Sequence, residues 1–192
     1  EIPLVIVDVQ RLGPSTGSAT KGADGDVQFL QWNSSGGLPV IVLSPVDVKD
    51  CCELTVHAFN LAEQYRCPVF IAANKEVSLT RETVDLSRLK IPEIKERTRA
   101  SDAKPYNPID SDLARTVPDS LPIGSDSLVR QTSSTHGIEG YITKDPELIE
   151  KTQERLAKKI LSDIDQFTFY DEEIREQSDT LIISYGVTAR AA

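Results

Sequence analysis

The stretch at positions 2–9, IPLVIVDV, constrains the fold more than any other part of this chain. It is nearly unbroken in apolar and β-branched residues. It lacks the alternation of a strand with one wet face and predicts a strand buried on both faces, as in a parallel sheet. Pro3 falls at its start, where a strand residue need not donate a hydrogen bond. Positions 38–43 (LPVIVL), 68–73 (PVFIAA) and 180–185 (TLIISY) repeat the pattern. Between the second and third runs the sequence predicts a helix. Ser44-Pro45-Val46-Asp47 supplies the capping chemistry, and Val48, Cys52, Thr55, Phe59 and Ala62 mark one apolar stripe. Strand, helix and strand with short joins make a βαβ unit, so the predicted fold class is α/β, a doubly wound and mostly parallel sheet.

The rest of the chain divides by composition. Residues 1–84 form the predicted α/β core, and residues 85–144 read as an irregular Pro- and Ser-rich excursion with a short helix over 93–99. Residues 145–178 hold a helix and a linker. Asp145-Pro146-Glu147 places a cap residue, a first-turn proline and an early acid in the expected order. Ile149, Thr152, Leu156 and Ile160 predict its buried face, and the surrounding run of charges predicts a solvated one. Residues 179–192 read as the first strand of a second α/β domain. The chain contains no Met and opens on a strand, so a piece of a longer polypeptide is expected.

Charge and cysteine usage exclude several functions. With 30 Asp and Glu against 21 Lys and Arg, the net charge of −9 repels phosphate backbones, so nucleic acid is not an expected partner. No apolar run approaches the roughly 20 residues of a membrane span, and the first residues lack the basic segment of a secretory signal. Cys51, Cys52 and Cys67 are odd in number and have no CxxC spacing, which argues against a disulfide framework or a self-contained zinc or iron–sulfur site. A reducing cytoplasm fits best.

The candidate chemistry lies in Gln10-Arg11-Leu12-Gly13-Pro14-Ser15-Thr16-Gly17, at the carboxyl end of the first strand, where open α/β sheets bind ligands. Arg11 offers a planar fork for a carboxylate or phosphate, and Ser15 and Thr16 add hydroxyls. The alternative is a plain Gly-Pro turn with a surface arginine. A phosphate-binding P-loop fails on spacing and on its lysine. Gly13-Pro14-Ser15-Thr16-Gly17 matches the G-x-S-x-G elbow of serine hydrolases, with His57 or His136 as the base. The glycine-rich segment after it does not read as the helix an elbow requires. Asp24 and Asp26 read as turn formers or a cation pair, and Phe29 and Trp32 as core.

These residues, with the strand before them, Val42-Leu43-Ser44-Pro45, Ala58-Phe59-Asn60-Leu61-Ala62-Glu63, Pro68-Val69 and Thr135-His136-Gly137-Ile138-Glu139-Gly140, resemble the alpha subunit of 2-oxoacid:ferredoxin oxidoreductases. The resemblance covers most of the chain. It implies the pyrimidine-binding domain of a thiamine diphosphate enzyme that oxidatively decarboxylates a 2-oxoacid to an acyl-CoA and passes electrons to ferredoxin. It further implies a beta subunit that binds the diphosphate, its Mg²⁺ and an iron–sulfur cluster, coenzyme A as co-substrate, and a hetero-oligomer. By the same resemblance Arg11 contacts the substrate carboxylate, Gly13, Pro14, Ser15, Thr16 and Gly17 line that pocket, and this stretch contains no catalytic residue. The family's Tyr-Pro-x-Thr-Pro turn and its acidic cofactor activator would lie upstream of position 1. Thr20-Lys21-Gly22-Ala23-Asp24 and Asn33-Ser34-Ser35-Gly36 depart from the family pattern and leave the substrate open. The rival readings are a noncatalytic α/β interaction module and, third, a serine hydrolase using Ser15.

Overall fold

Three parallel strands, β1 (Leu4–Val9), β2 (Ile41–Leu43) and β3 (Pro68–Ala73), form a sheet in the order β1-β3-β2. Leu4 pairs with Pro68 and Val9 with Ala73, so β1 and β3 run in step to the same end of the sheet. The structure is a computed structural model that describes residues 2–18, 21–33, 35–97, 99, 117, 119, 121, 124, 126, 133–137 and 140–192. Much of the predicted 85–144 excursion lies outside the described residues.

Helices lie on both faces of the sheet, as a doubly wound fold requires. On one face Ile41, Leu43, Val69 and Ile71 pack with Ala58, Leu61, Ala62 and Tyr65 of α2 (Val48–Tyr65) and with Ile160 of α4 (Pro146–Leu161). On the other face Phe70 and Ala72 pack with Leu30 of α1 (Val27–Trp32), Ile6 and Val40. Short helices α3 (Lys75–Leu79) and α5 (Gly186–Ala191) complete the set. Asp47 caps α2 by accepting from Asp50 N–H (2.8 Å), and Asp145 caps α4 through Glu147 N–H (3.0 Å), both as their sequences predict.

Five expectations are corrected. β1 is not buried on both faces: it is the edge of the described sheet, and Val7 stays 63% exposed. The buried stripe of α2 runs through Ala58, Leu61, Ala62 and Tyr65, while Cys52 and Phe59 face out. The predicted stripe was out of phase because small alanines, not Phe59, fit closely against the sheet. α1 is so short that only Leu30 reaches the core. Trp32 is left exposed, and Phe29 touches the core only edge-on to Phe70 (6.3 Å). The charged face of α4 is not wholly solvated. Arg155 and Lys159 are buried, and Lys159 Nζ donates to the Arg66 carbonyl (3.3 Å), because long stems can cover apolar surface while their heads find acceptors. Residues 180–185 form no strand and pair with none among the described residues, and Ile183 is 85% exposed.

The helix predicted over 93–99 is also absent from its described residues. The segment lies against α2 and is held by side chains of that helix. Asn60 Nδ2 donates to the Glu93 carbonyl (2.8 Å), and Asn60 Oδ1 accepts from Lys95 N–H (2.9 Å). Glu53 accepts from Lys90 N–H (2.6 Å), and Glu63 pairs with Arg97 (2.8 Å to Nη2), which holds the Glu63 carboxyl below its usual range. Asn60 is only 6% exposed, so truncating it strands two backbone groups. Asn60→Ala is expected to cost about 1–3 kcal/mol in denaturant unfolding and to open the 90–97 segment to proteolysis. An unchanged midpoint and digestion pattern would contradict this clamp.

Candidate functional site

The in-step pairing of β1 and β3 sets the ends of both strands side by side. Gln10 N–H donates to the Ala73 carbonyl (3.0 Å), carrying the ladder one residue past β1. Arg11 follows on one strand, and Asn74 and Lys75 on the other. Between them lies a cleft of about 290 Å³, lined by Val9, Gln10, Arg11, Thr16, Ser18, Lys21, Lys75, Ser78 and Leu79. The cavity surface itself is mostly apolar, and three cationic and three hydroxyl-bearing residues border it, a combination that suits a small organic anion with its charge at the rim.

The backbone of Arg11 is gripped from both sides. Its N–H donates to Asp26 Oδ2 (2.9 Å), and its carbonyl accepts from Gly25 N–H (3.0 Å). Gly25 must be glycine for this approach, since a Cβ there would stand 2.2 Å from the Leu12 carbonyl oxygen. The loop then folds back on itself. Gly17 N–H donates to the Pro14 carbonyl (3.1 Å), and a Cβ on Gly17 would lie 2.6 Å from Gly13 N. Asp26 is thus a turn former, as one of its two readings held.

Asn74 is the structural hub beside the cleft. Buried at 3% exposure, its Nδ2 donates to Asp24 Oδ1 (2.7 Å) and its Oδ1 accepts from Val187 N–H (2.7 Å). It ties the segment after the Arg11 loop to β3 and to the start of α5. Gly186 leaves room for this contact, because a Cβ would fall 2.0 Å from Asn74 Oδ1. The hydroxyl of Tyr185 lies by Asp24, and burial followed by that carboxylate raises its pKa. On β1 the Asp8 carboxyl is pushed above its ordinary value, mainly by burial and then by Asp26, with Arg11 opposing.

Of the residues singled out from the sequence, Arg11 and Thr16 line the cleft, whereas Gly13, Pro14, Ser15 and Gly17 form the turn beside it. Thr20 lies outside the described residues. Gln10, Lys21, Lys75 and Ser78 were not predicted as lining residues. Lys75 could have been found, because it directly follows the strand that pairs with β1. Neither His57 nor His136 lines the cleft; His57 packs on Phe169 (4.7 Å between ring centroids), and burial lowers its pKa. After Gly17 the next helix begins only at Val27, so Ser15 does not stand on a strand-to-helix elbow. Among the described residues no group of three or more His, Cys, Asp or Glu side chains could hold a metal ion, and no helix is long and apolar enough to cross a membrane.

Comparison with known proteins agrees with this architecture. Residues 1–155 match the family described as pyruvate flavodoxin/ferredoxin oxidoreductase, thiamine diphosphate-binding. The chain is 36% identical over 193 residues to 2-oxoglutarate synthase subunit KorA of Methanothermobacter thermautotrophicus, covering 100% of this chain and 50% of that protein. It is 28% identical over 192 residues to ketoisovalerate oxidoreductase subunit VorB of Methanothermobacter marburgensis, covering 100% of this chain and 47% of that protein. The chain spans about half the length of these relatives. Among solved structures it is similar to the 2-oxoglutarate:ferredoxin oxidoreductase from Magnetococcus marinus, with 2-oxoglutarate, coenzyme A and succinyl-CoA bound. The TM-score is 0.73 and the identity 29%, over 92% of this chain and 31% of that one. A parallel α/β sheet with its loop and cleft at the strands' carboxyl ends, together with a family match over most of its length, shows that this chain belongs to the thiamine diphosphate-binding family of pyruvate flavodoxin/ferredoxin oxidoreductases.

Proposed function

We propose that this chain is the alpha-subunit part of a 2-oxoacid:ferredoxin oxidoreductase, which converts a 2-oxoacid to an acyl-CoA and passes the electrons to ferredoxin. The observation that carries this reading is the gathering of Arg11, Lys21 and Lys75 around one small cleft, in a chain whose net charge is −9. Three cations exceed what a monocarboxylate needs. They favour a 2-oxoacid with a second carboxylate, the class to which 2-oxoglutarate belongs. The names of the KorA relatives support the same choice.

When bound, thiamine diphosphate supplies the electron sink for decarboxylation, and the protein supplies binding and orientation. The diphosphate, its Mg²⁺ and an iron–sulfur cluster are assigned to a beta subunit. The exposed apolar run Leu181-Ile182-Ile183, 75–85% exposed, supports cover by further polypeptide. The thiols of Cys51, Cys52 and Cys67 fit a reducing cytoplasm.

Arg11 binds and orients. A planar guanidinium engages both carboxylate oxygens at once, and the grip of Gly25 and Asp26 on its backbone fixes where the side chain starts. Decarboxylation discharges the carboxylate, so a cation that held it too tightly would favour the ground state. Arg11 therefore governs affinity and choice of acid more than the chemical step.

The complex of the full-length alpha chain with its beta subunit is expected to reduce a low-potential acceptor with 2-oxoglutarate, only when thiamine diphosphate and coenzyme A are present. No turnover from a folded, cluster-loaded complex would point instead to a noncatalytic module. Arg11→Lys is expected to raise KM for the acid by roughly tenfold or more while kcat changes far less, since an ammonium cannot reproduce the fork. An unchanged KM would remove Arg11 from the site. Gly25→Ala is expected to weaken acid binding at least as much, because its Cβ collides with the backbone that presents Arg11. Retained affinity in that variant would show that the loop does not position the guanidinium.

A further inference from the structure

One lining residue is chemically out of place in a structural role. Gln10 is only 1% exposed and is among the largest fully buried side chains of the protein. Yet neither its Nε2 nor its Oε1 has a hydrogen-bond partner among the described residues. Buried amides are almost always paired, since an unmade bond costs the full desolvation of the group. If Gln10 only filled space at the end of β1, an apolar side chain of similar volume would do so without that cost. Its main chain is fixed, the N–H to the Ala73 carbonyl (3.0 Å) and Arg11 N–H to Asp26 (2.9 Å), so the carboxamide moves only by side-chain rotation.

The carboxamide also lies in a meaningful place. Gln10 is one of the residues around the same cleft as Arg11, Lys21 and Lys75, with both amide atoms enclosed behind the cleft surface. Arg11 and Lys21 are exposed and Lys75 half-buried, whereas the Gln10 amide is enclosed beside them.

We propose that Gln10 is a substrate-contacting residue, whose carboxamide hydrogen bonds the head of the bound 2-oxoacid while the cations above it take the charge. This rests on the functional reading above and extends it to a residue that reading does not use. Nε2 donates to an oxygen of the 2-oxo or carboxylate group, both of which only accept. Oε1 accepts from a cation drawn inward with the acid. A neutral donor suits this position. It orients the head without adding positive charge that would oppose loss of the carboxylate as carbon dioxide.

The test uses the full alpha–beta complex loaded with its cofactors, with 2-oxoglutarate and pyruvate as probes, and two variants. Gln10→Leu removes the hydrogen bonds at similar volume, and Gln10→Glu keeps the shape but sets a carboxylate against the acid. Both are expected to raise KM for the preferred acid by about tenfold to a hundredfold, the latter more, with KM for coenzyme A within twofold of wild type. Calorimetric titration of the acid into complex stripped of thiamine diphosphate, which cannot turn it over, is expected to show the same loss of affinity. Gln10→Leu is expected to melt no lower than wild type. A KM for the acid unchanged in both variants would overturn the role of Gln10 while leaving the functional reading intact. So would a loss shared equally by coenzyme A, the acid and the melting temperature, which would mark a packing residue. A wild-type complex that neither binds nor turns over any 2-oxoacid would defeat both.

Discussion

The parallel pairing of β1 with β3 is the constraint on which the rest of the molecule depends. Because Leu4 to Val9 run in step with Pro68 to Ala73, two chain segments more than sixty residues apart deliver their next residues to one place. One segment brings Gln10 and Arg11, the other Asn74 and Lys75. Neither could form the cleft alone. In a parallel sheet every strand ends at the same side, so the polar residues that terminate hydrophobic runs gather there without any further device.

What surrounds that edge is mostly backbone restraint. Gly25 and Asp26 hold Arg11 by its main chain, and the Gly17–Pro14 bond closes the loop beyond it. Asn74 locks the opposite wall by spanning Asp24 and Val187. The exposed parts of the site are the long cationic side chains, and the enclosed part is Gln10. This division suits a pocket that must draw a charged acid in from water and then orient it.

Much of this was legible in the sequence, for identifiable reasons. Pro68-Val69-Phe70-Ile71-Ala72-Ala73 emerged as a strand with the bounds predicted, because its burial on both faces leaves an unbroken apolar run. The caps Asp47 and Asp145 were visible because their chemistry is local. The misses are tertiary in origin. Phe59 looked like core because it is large and correctly spaced, but Ala58 and Ala62 are what the sheet admits. Residues 93–97 looked helical, yet Asn60 on a distant helix takes the Glu93 carbonyl and the Lys95 N–H that a helix would use. Arg11 and Thr16 were found through the loop they sit in. Lys75, Ser78 and Gln10 were not. Lys75 and Ser78 lie beyond the strand that pairs with β1 and share the cavity through that pairing, and Gln10 sits in the same stretch as Arg11 but its burial shows only in the fold.

The most direct measurement is a crystal structure of the full alpha–beta complex with an unreacted 2-oxoacid bound. The account predicts carboxylate oxygens within about 3 Å of the Arg11 guanidinium, with the Gln10 carboxamide making its missing hydrogen bonds beneath them. An acid bound elsewhere in the complex, with Arg11 turned to solvent and Gln10 still unpaired, would contradict it.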